Sequence, residues 1–433
     1  MTKEGKSRQG TGEEQPIDPV QTMSPEERAR YFDQHVAEIV EYCYKHSPAF
    51  KERMDKAGIK PAEVQKVEDL DKIPIMTREA LVERQRANPP FGGMLTCPLS
   101  DLKRIFISPG PHYHPQSEDV FSVPDFAYLY YTLGFRKGDI VLNSIMYHLV
   151  PAGTVYDDAL KYLGVVVIPT GVGNSELQVE IMRETKATGF IGTPSFLMTL
   201  LQKIKGKGYD FRKDFALRKA ILAHELVLPE LKQTLARDYG ISVGEFYGTA
   251  DGGLLCCECE YRNGMHALTK SIVEIVDPET KKKLKPGEIG EIVYTALSKT
   301  YSLIRVGTGD LSSFAEGSCP CGRTSPRITR ILGRVGTTTK IRGMFVYASQ
   351  VEKVVAQFPQ ISNFQLVVDS TDHRDRTILK VEVSEGTDKK ALEQDIKASF
   401  NEICNVKLDA IELVALGTIS KERKVILDQR KWG

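Results

Sequence analysis

The 433-residue sequence has no apolar run long enough to cross a bilayer, which excludes an integral helical membrane protein. It has no excess of either charge, with 58 Lys and Arg against 57 Asp and Glu. Without a basic surplus, neither nucleic acid nor an anionic membrane surface is an expected partner. The opening MTKEGKSRQGTGEEQ lacks the apolar stretch of a signal peptide. A cytoplasmic location is therefore expected, and with it reduced cysteines. The same polar composition predicts a disordered tail over residues 1–23.

Beyond residue 23 the chain is patterned. Ser24 is an N-cap residue, Pro25 suits the first helical position and Glu27 completes a capping box. Apolar residues then recur at helical spacing through Phe32, Val36, Ile39, Val40 and Tyr44. From Asp139 short apolar strands alternate with helical stretches. Strands are expected at 139–146, 165–169, 190–193, 219–223 and 244–247, with helices between them. The wholly apolar Val165–Pro169 run reads as a buried parallel strand. After Asp251 strands dominate, at 272–276 and 291–295, and a compact segment with two helices and three strands closes the chain. The expected fold class is α/β. A large domain over 24–332 carries parallel α/β sheets plus a β-rich layer, and a small mobile α+β domain spans 333–433. In such sheets ligands bind beyond the carboxyl ends of the strands. Four turns are thereby singled out: Pro169–Asn174, Gly192–Ser195, Ala223–Leu226 and Tyr247–Asp251.

Five of the eight cysteines fall in two short segments. Cys259 and His266 precede Cys319-Pro320-Cys321 by about fifty residues. Three thiolates and one imidazole make a closed tetrahedral set, which is the ligand count of a structural zinc site with no open catalytic position. Cys256 and Cys257 are nearby thiols that serve either as alternative ligands or as core residues.

The order of segments resembles the phenylacetate–coenzyme A ligases, a branch of the adenylate-forming acyl-CoA synthetases. HSPAFKERMDKAGIKP and EDLDKIPIMTREAL are similar to that family's opening, and VVVIPTGVGNSE and FIGTPSFL to strand–turn pairs of its large domain. GRVGTTTKIRGMFVYASQVEKVV is similar to its entry into the small domain, and the Cys259, His266, Cys319, Cys321 set to a zinc-bearing subgroup.

The resemblance implies an ATP-dependent ligase that converts an aromatic or other compact carboxylic acid to an acyl adenylate and then a CoA thioester. ATP, Mg²⁺, CoA and a structural zinc are the implied cofactors; relatives are often dimers, and a homodimer is left open here. Asp310 corresponds to the carboxylate that holds the ribose hydroxyls, with Arg334 as a cationic partner. Tyr247-Gly248 matches the pair against adenine, Glu225 lies in the turn lining the adenine pocket, and Asp251 stands at the Mg²⁺-binding acid. Lys421 and Lys424 both fit the catalytic lysine near the C-terminus. Tyr147, His148, Pro194 and Ser195 are placed at the acid pocket.

Three positions depart from the family pattern. The phosphate loop, roughly S-S-G-T-T-G-x-P in the family, reads SPGPHYHP here and keeps only Ser108 and Gly110. Pro109 and Pro111 have no N–H to offer a phosphate. Ala250 replaces a threonine, and Gly336-Thr337 stand where acidic hinge residues are usual. These departures keep two other readings open: a non-catalytic nucleotide- or acyl-CoA-binding relative, and an adenylate former with a different acyl acceptor.

Overall fold

The computed structural model describes residues 18–429 apart from 109–111, 118, 120–121, 226, 228, 336–337, 343, 372–373, 384–388 and 421. The chain divides into two compact units, residues 1–331 and 332–433.

The first helix, Pro25–His46, starts where its cap chemistry dictates. The Ser24 hydroxyl accepts the Glu27 N–H at 3.2 Å, and the Glu27 carboxylate accepts the Ser24 N–H at 3.1 Å. Its buried stripe of Phe32, Val36, Ile39, Val40 and Cys43 packs on Phe50, Met54, Leu70 and Ile73. Each such side chain contributes about 1.5–3 kcal/mol on burial. Tyr44, expected in the stripe, is only half-buried. The tail expectation is corrected at its inner end. Pro19–Thr22 form a helical turn with Val20 and Gln21 buried, because Val20 joins the same core and the Gln21 carbonyl accepts the Thr324 N–H. Residues 1–17 lie outside the described residues.

Two strands, β1 (Arg104–Ser108) and β2 (His112–Gln116), pair antiparallel. The sequence reads as a loop here; the continuous antiparallel register from Arg104 opposite Gln116 to Ser108 opposite His112 makes it a strand pair instead.

A five-stranded parallel sheet comes next, from β3 (Ile140–Asn143), β4 (Val166–Ile168), β5 (Gly189–Gly192), β6 (Lys219–Leu222) and β7 (Ser242–Gly244), in the order β4-β3-β5-β6-β7. Its two faces are covered separately. Val141, Ile191 and Ile221 pack with residues of the helices Val123–Thr132 and Ala152–Tyr162. Leu142, Phe190, Ala220 and Leu222 pack with residues of Ser175–Glu184 and Pro194–Gly206. Adjacent residues facing opposite cores explain why these strands are apolar throughout. β4 is the exception: it lies at the sheet edge with Val166 56% exposed, so its apolar sequence does not signify full burial.

The strand expected at 244–247 is in fact two. β7 ends at Gly244, and β8 (Phe246–Thr249) begins an antiparallel layer. That layer continues through β9 (Gly253–Glu258), β10 (Met265–Ala267), β11 (Ser271–Val276), β12 (Gly290–Ala296), β13 (Val306–Ser312) and the short β14 (Arg327–Ile328). β14, β10, β9 and β8 form one sheet in that order, while β12 pairs with both β11 and β13.

In the second unit, strands Ile361–Thr371 and Arg374–Val383 pair antiparallel. Ala410–Val414 and Ile426–Asp428 add in parallel on either side. Helices Ala348–Val355 and Lys389–Cys404 supply Val351, Val354, Ile396 and Phe400 to its core.

Candidate active site

Because β3, β5 and β6 run parallel, the turns after them emerge on one edge of the sheet. After β5, Thr193 caps the next helix by accepting the Phe196 N–H. After β6, Glu225 reaches across to that turn: its carboxylate accepts the Ser195 N–H at 3.0 Å and the Ser195 hydroxyl at 2.7 Å. Glu225 and Ser195 are exposed, whereas Pro194 is buried. After β3, the Asn143 amide donates to the Tyr147 hydroxyl at 2.8 Å, and His148 beyond it is exposed. Burial pushes the Tyr147 phenol up, so it stays protonated.

A feature that sequence reasoning missed lies on the same edge. His224 takes a left-handed backbone (φ 67°) and its ring stacks over Tyr156, which packs edge-on to Phe246. The helical spacing around Tyr156 is indistinguishable from that of a core residue, so no local signal marked it.

The antiparallel layer holds a second group. Tyr247 on β8 is buried and donates its hydroxyl to Asp310 Oδ2 on β13 at 2.9 Å. Gly248 is needed for packing: a Cβ there would meet the Gly253 carbonyl oxygen at 2.4 Å. Asp310 follows Gly309, whose φ of 73° favours glycine, and its N–H donates to the Thr308 hydroxyl.

Asp251 sits in the β8–β9 turn, 3% exposed, with the Gly252 N–H on Oδ1 at 3.2 Å. Burial would raise its pKa, but His114, Arg78 and His112 outweigh that and hold the carboxyl below its ordinary value. Ser108 at the end of β1 is buried, its hydroxyl 2.7 Å from His114 Nε2. Gly110, Lys421 and the hinge pair Gly336-Thr337 lie outside the described residues. Lys424 is exposed in the second unit, as is Arg334.

The four expected metal ligands converge. The donor atoms of Cys259, His266, Cys319 and Cys321 all lie within 4.8 Å of one another. Tetrahedral zinc with sulfur bonds of about 2.3 Å sets two sulfurs about 3.8 Å apart. The Cys259–Cys319 sulfur separation is 3.7 Å, and Cys321 Sγ lies 3.4 Å from His266 Nε2. His266 Nδ1 faces the Ser325 hydroxyl at 3.0 Å, which aims Nε2 at the sulfurs. Burial lowers the His266 pKa to about 4, so the imidazole is in the neutral, ligating form. Cys256 and Cys257 are not in this group. They are buried on opposite faces of β9, and burial pushes the Cys257 thiol up to about 12.

Residues 159–298 match the model of the AMP-binding enzymes, and residues 343–430 match that of their C-terminal domain. A phenylacetate–coenzyme A ligase of Thermus thermophilus is 30% identical over 84% of both chains. The chain belongs to the phenylacetate–coenzyme A ligase family. As a member it is an AMP-forming acid–thiol ligase that works through an acyl adenylate. The enzyme of the same name from Pseudomonas putida is 29% identical over 80% of this chain and 79% of its own. The fold is also that of a 2-hydroxyisobutyryl-CoA ligase in an open conformation, with a TM-score of 0.82 at 24% identity, covering 94% of this chain and 93% of that one. Among the described residues no helix is long and apolar enough to cross a membrane.

Proposed function

We propose that this ligase activates an aromatic acid, of the aryl or arylacetic type, and passes the acyl group to coenzyme A. A carboxylate oxygen attacks the α-phosphorus of ATP and the bond to pyrophosphate breaks. The CoA thiolate then attacks the acyl carbonyl and AMP leaves. The observation that carries the nucleotide half is the Tyr247–Asp310 hydrogen bond, which orients a carboxylate able to accept two ribose hydroxyls. Tyr247 and Gly248 lie against adenine, Glu225 borders it, Arg334 assists at the ribose and Asp251 takes Mg²⁺. Mg²⁺ prefers hard oxygen ligands, so the Asp251 carboxylate suits it. Tyr147 and the stacked Tyr156–His224 pair, on the strand-end edge, favour an aromatic ring in the acid. Lys421 or Lys424 supplies the cation at the transferring phosphate. Zinc at the Cys259 group is structural. The protein is read as cytoplasmic, with a homodimer left open and neither nucleic acid nor membrane as partner.

The test is release of AMP and pyrophosphate from purified protein given ATP, Mg²⁺, CoA and a panel of aromatic and short-chain acids. Acid-dependent AMP with a matching aryl thioester supports the proposal, and turnover restricted to short aliphatic acids refutes its aromatic part. A second reading, a non-catalytic nucleotide-binding relative, is favoured by one observation: histidines occupy the hairpin where phosphate-binding hydroxyls are expected. It predicts AMP binding without turnover on any acid.

A further inference from the structure

β2 carries an unusual load. His112 and His114 are two residues apart on one strand, so both project to the same face. They are 1% and 0% exposed, with ring centroids 4.3 Å apart. Three of their four ring nitrogens, both of His112 and Nδ1 of His114, have no hydrogen-bond partner. The fourth lies 2.7 Å from the Ser108 hydroxyl. Leaving a buried donor unsatisfied costs about 1–3 kcal/mol, so a paired set of them points to a missing ligand.

The hairpin is also held firmly. Gln85, itself 1% exposed, accepts the Tyr113 N–H and donates to the Tyr113 carbonyl, both at 2.8 Å, and bonds the Tyr301 hydroxyl. Gln85 thus clamps the backbone between the two histidines. The charged groups acting on both rings are Arg78, at the start of the helix that carries Gln85, and Asp251 in the β8–β9 turn. Burial lowers both imidazoles, His114 to about 4, so near neutral pH each ring presents one N–H.

A divalent cation held by the imidazoles themselves is the competing occupant. Among the described residues, however, only the Cys259 group has three or more such donor atoms converging on one point. Donors of N–H type that also feel the Arg78 charge suit an oxyanion better. Asp251 would repel a bare anion, and a Mg²⁺ ion on that carboxylate removes the repulsion.

We infer that His112 and His114, with Arg78, form a subsite for magnesium pyrophosphate, in which imidazole N–H groups replace the hydroxyl and backbone donors that the proline-bearing loop has lost. The inference rests on the ligase reading for its ligand, and it makes the hairpin a rebuilt phosphate site in place of a decayed one.

The experiment is calorimetric titration of the zinc-loaded full chain with magnesium pyrophosphate, with no acid or CoA present, and separately with AMP. The titrations are repeated for His112→Asn and His114→Gln, with zinc content and Tm recorded. The expected result is pyrophosphate binding that needs Mg²⁺ and weakens about tenfold in each variant, as for loss of one hydrogen bond to a charged group, with AMP affinity unchanged. ¹⁵N resonances of the two rings should also shift on adding pyrophosphate. Folded variants with undiminished pyrophosphate affinity overturn the subsite, as does wild-type protein that binds AMP but not pyrophosphate. Binding of Mn²⁺ or Co²⁺ that needs no pyrophosphate and is lost in His112→Asn also overturns it, in favour of a cation site. Because no turnover is required, absence of acid-dependent AMP release would defeat the ligase reading without deciding this one.

Discussion

Tyr247 and Asp310 stand on different strands of the antiparallel layer, sixty-three residues apart, and are joined by a 2.9 Å hydrogen bond from phenol to carboxylate. The bond fixes the carboxylate's direction and leaves Tyr247 with a polar tip in an otherwise apolar setting. Asp310→Asn should weaken AMP binding about 10- to 100-fold, as expected for hydrogen bonds to a charged acceptor worth about 1.5–3 kcal/mol. Tyr247→Phe separates the two roles: it should keep most of the AMP affinity of the Asp310 carboxylate while losing part of the positioning. Calorimetric AMP titrations with parallel melting curves check this, and unchanged affinity in Asp310→Asn would remove the ribose assignment.

Cys259, His266, Cys319 and Cys321 bring the end of β9, strand β10 and the loop before β14 to one point. A zinc ion held there would cross-link the β9–β10 pair to a loop about fifty residues further on and stabilise the fold. Metal analysis should give about one zinc per chain. Cys319→Ser should lower Tm on the order of 10 °C, a few kcal/mol at about 2–4 °C each for a domain of this size. Full stability in metal-free protein would contradict the structural role.

Glu225 holds the Ser195 N–H and hydroxyl together and so fixes the turn after β5 relative to the turn after β6. Glu225→Ala should raise KM for ATP about tenfold, equivalent to about 1.4 kcal/mol, with a smaller change in kcat. Both residues are exposed, so Tm should move little. Initial-rate kinetics over ATP concentration distinguish this from a purely structural role, which would lower Tm and leave KM alone.

Much of this fold is legible in the sequence because local signals and tertiary packing agree. The Ser24–Glu27 capping box, the alternation from β3 to β7 and the Cys259 ligand set each have a pattern that survives without coordinates. Other features do not. Val166 is apolar on an edge strand, and edge position depends on strand order, which residue type does not encode. Glu245 separates a parallel from an antiparallel strand, although Gly244–Tyr247 reads as one extended run. The hairpin at 104–116 is hidden by prolines that ordinarily argue against strands. Pro115 nevertheless pairs with Ile105, and the buried face of the two histidines appears only once that register is known. The Tyr247–Asp310 bond links residues whose separation leaves no local trace.

The C-terminal lysines carry the last prediction. A lysine beside the α-phosphate stabilises charge that develops as the carboxylate attacks and pyrophosphate leaves, and removal of one such donor costs about 10²–10³ in kcat. Lys424 is exposed, and its carbonyl accepts the Gln365 amide at 2.9 Å, so its backbone is anchored while the side chain projects from the second unit. An anchored backbone is what a lysine delivered to a reaction centre requires, since a frayed segment would lose its positioning. Lys424→Ala and Lys421→Ala should therefore differ: one should lower acyl-adenylate formation by two orders of magnitude or more, with AMP affinity and Tm unchanged, and the other should change it little. Pyrophosphate exchange into ATP reads the adenylation step alone and separates it from thioester formation. Equal, small effects from both substitutions would mean that neither lysine acts at the phosphate, and that the positive charge needed there comes from another cation such as Arg78.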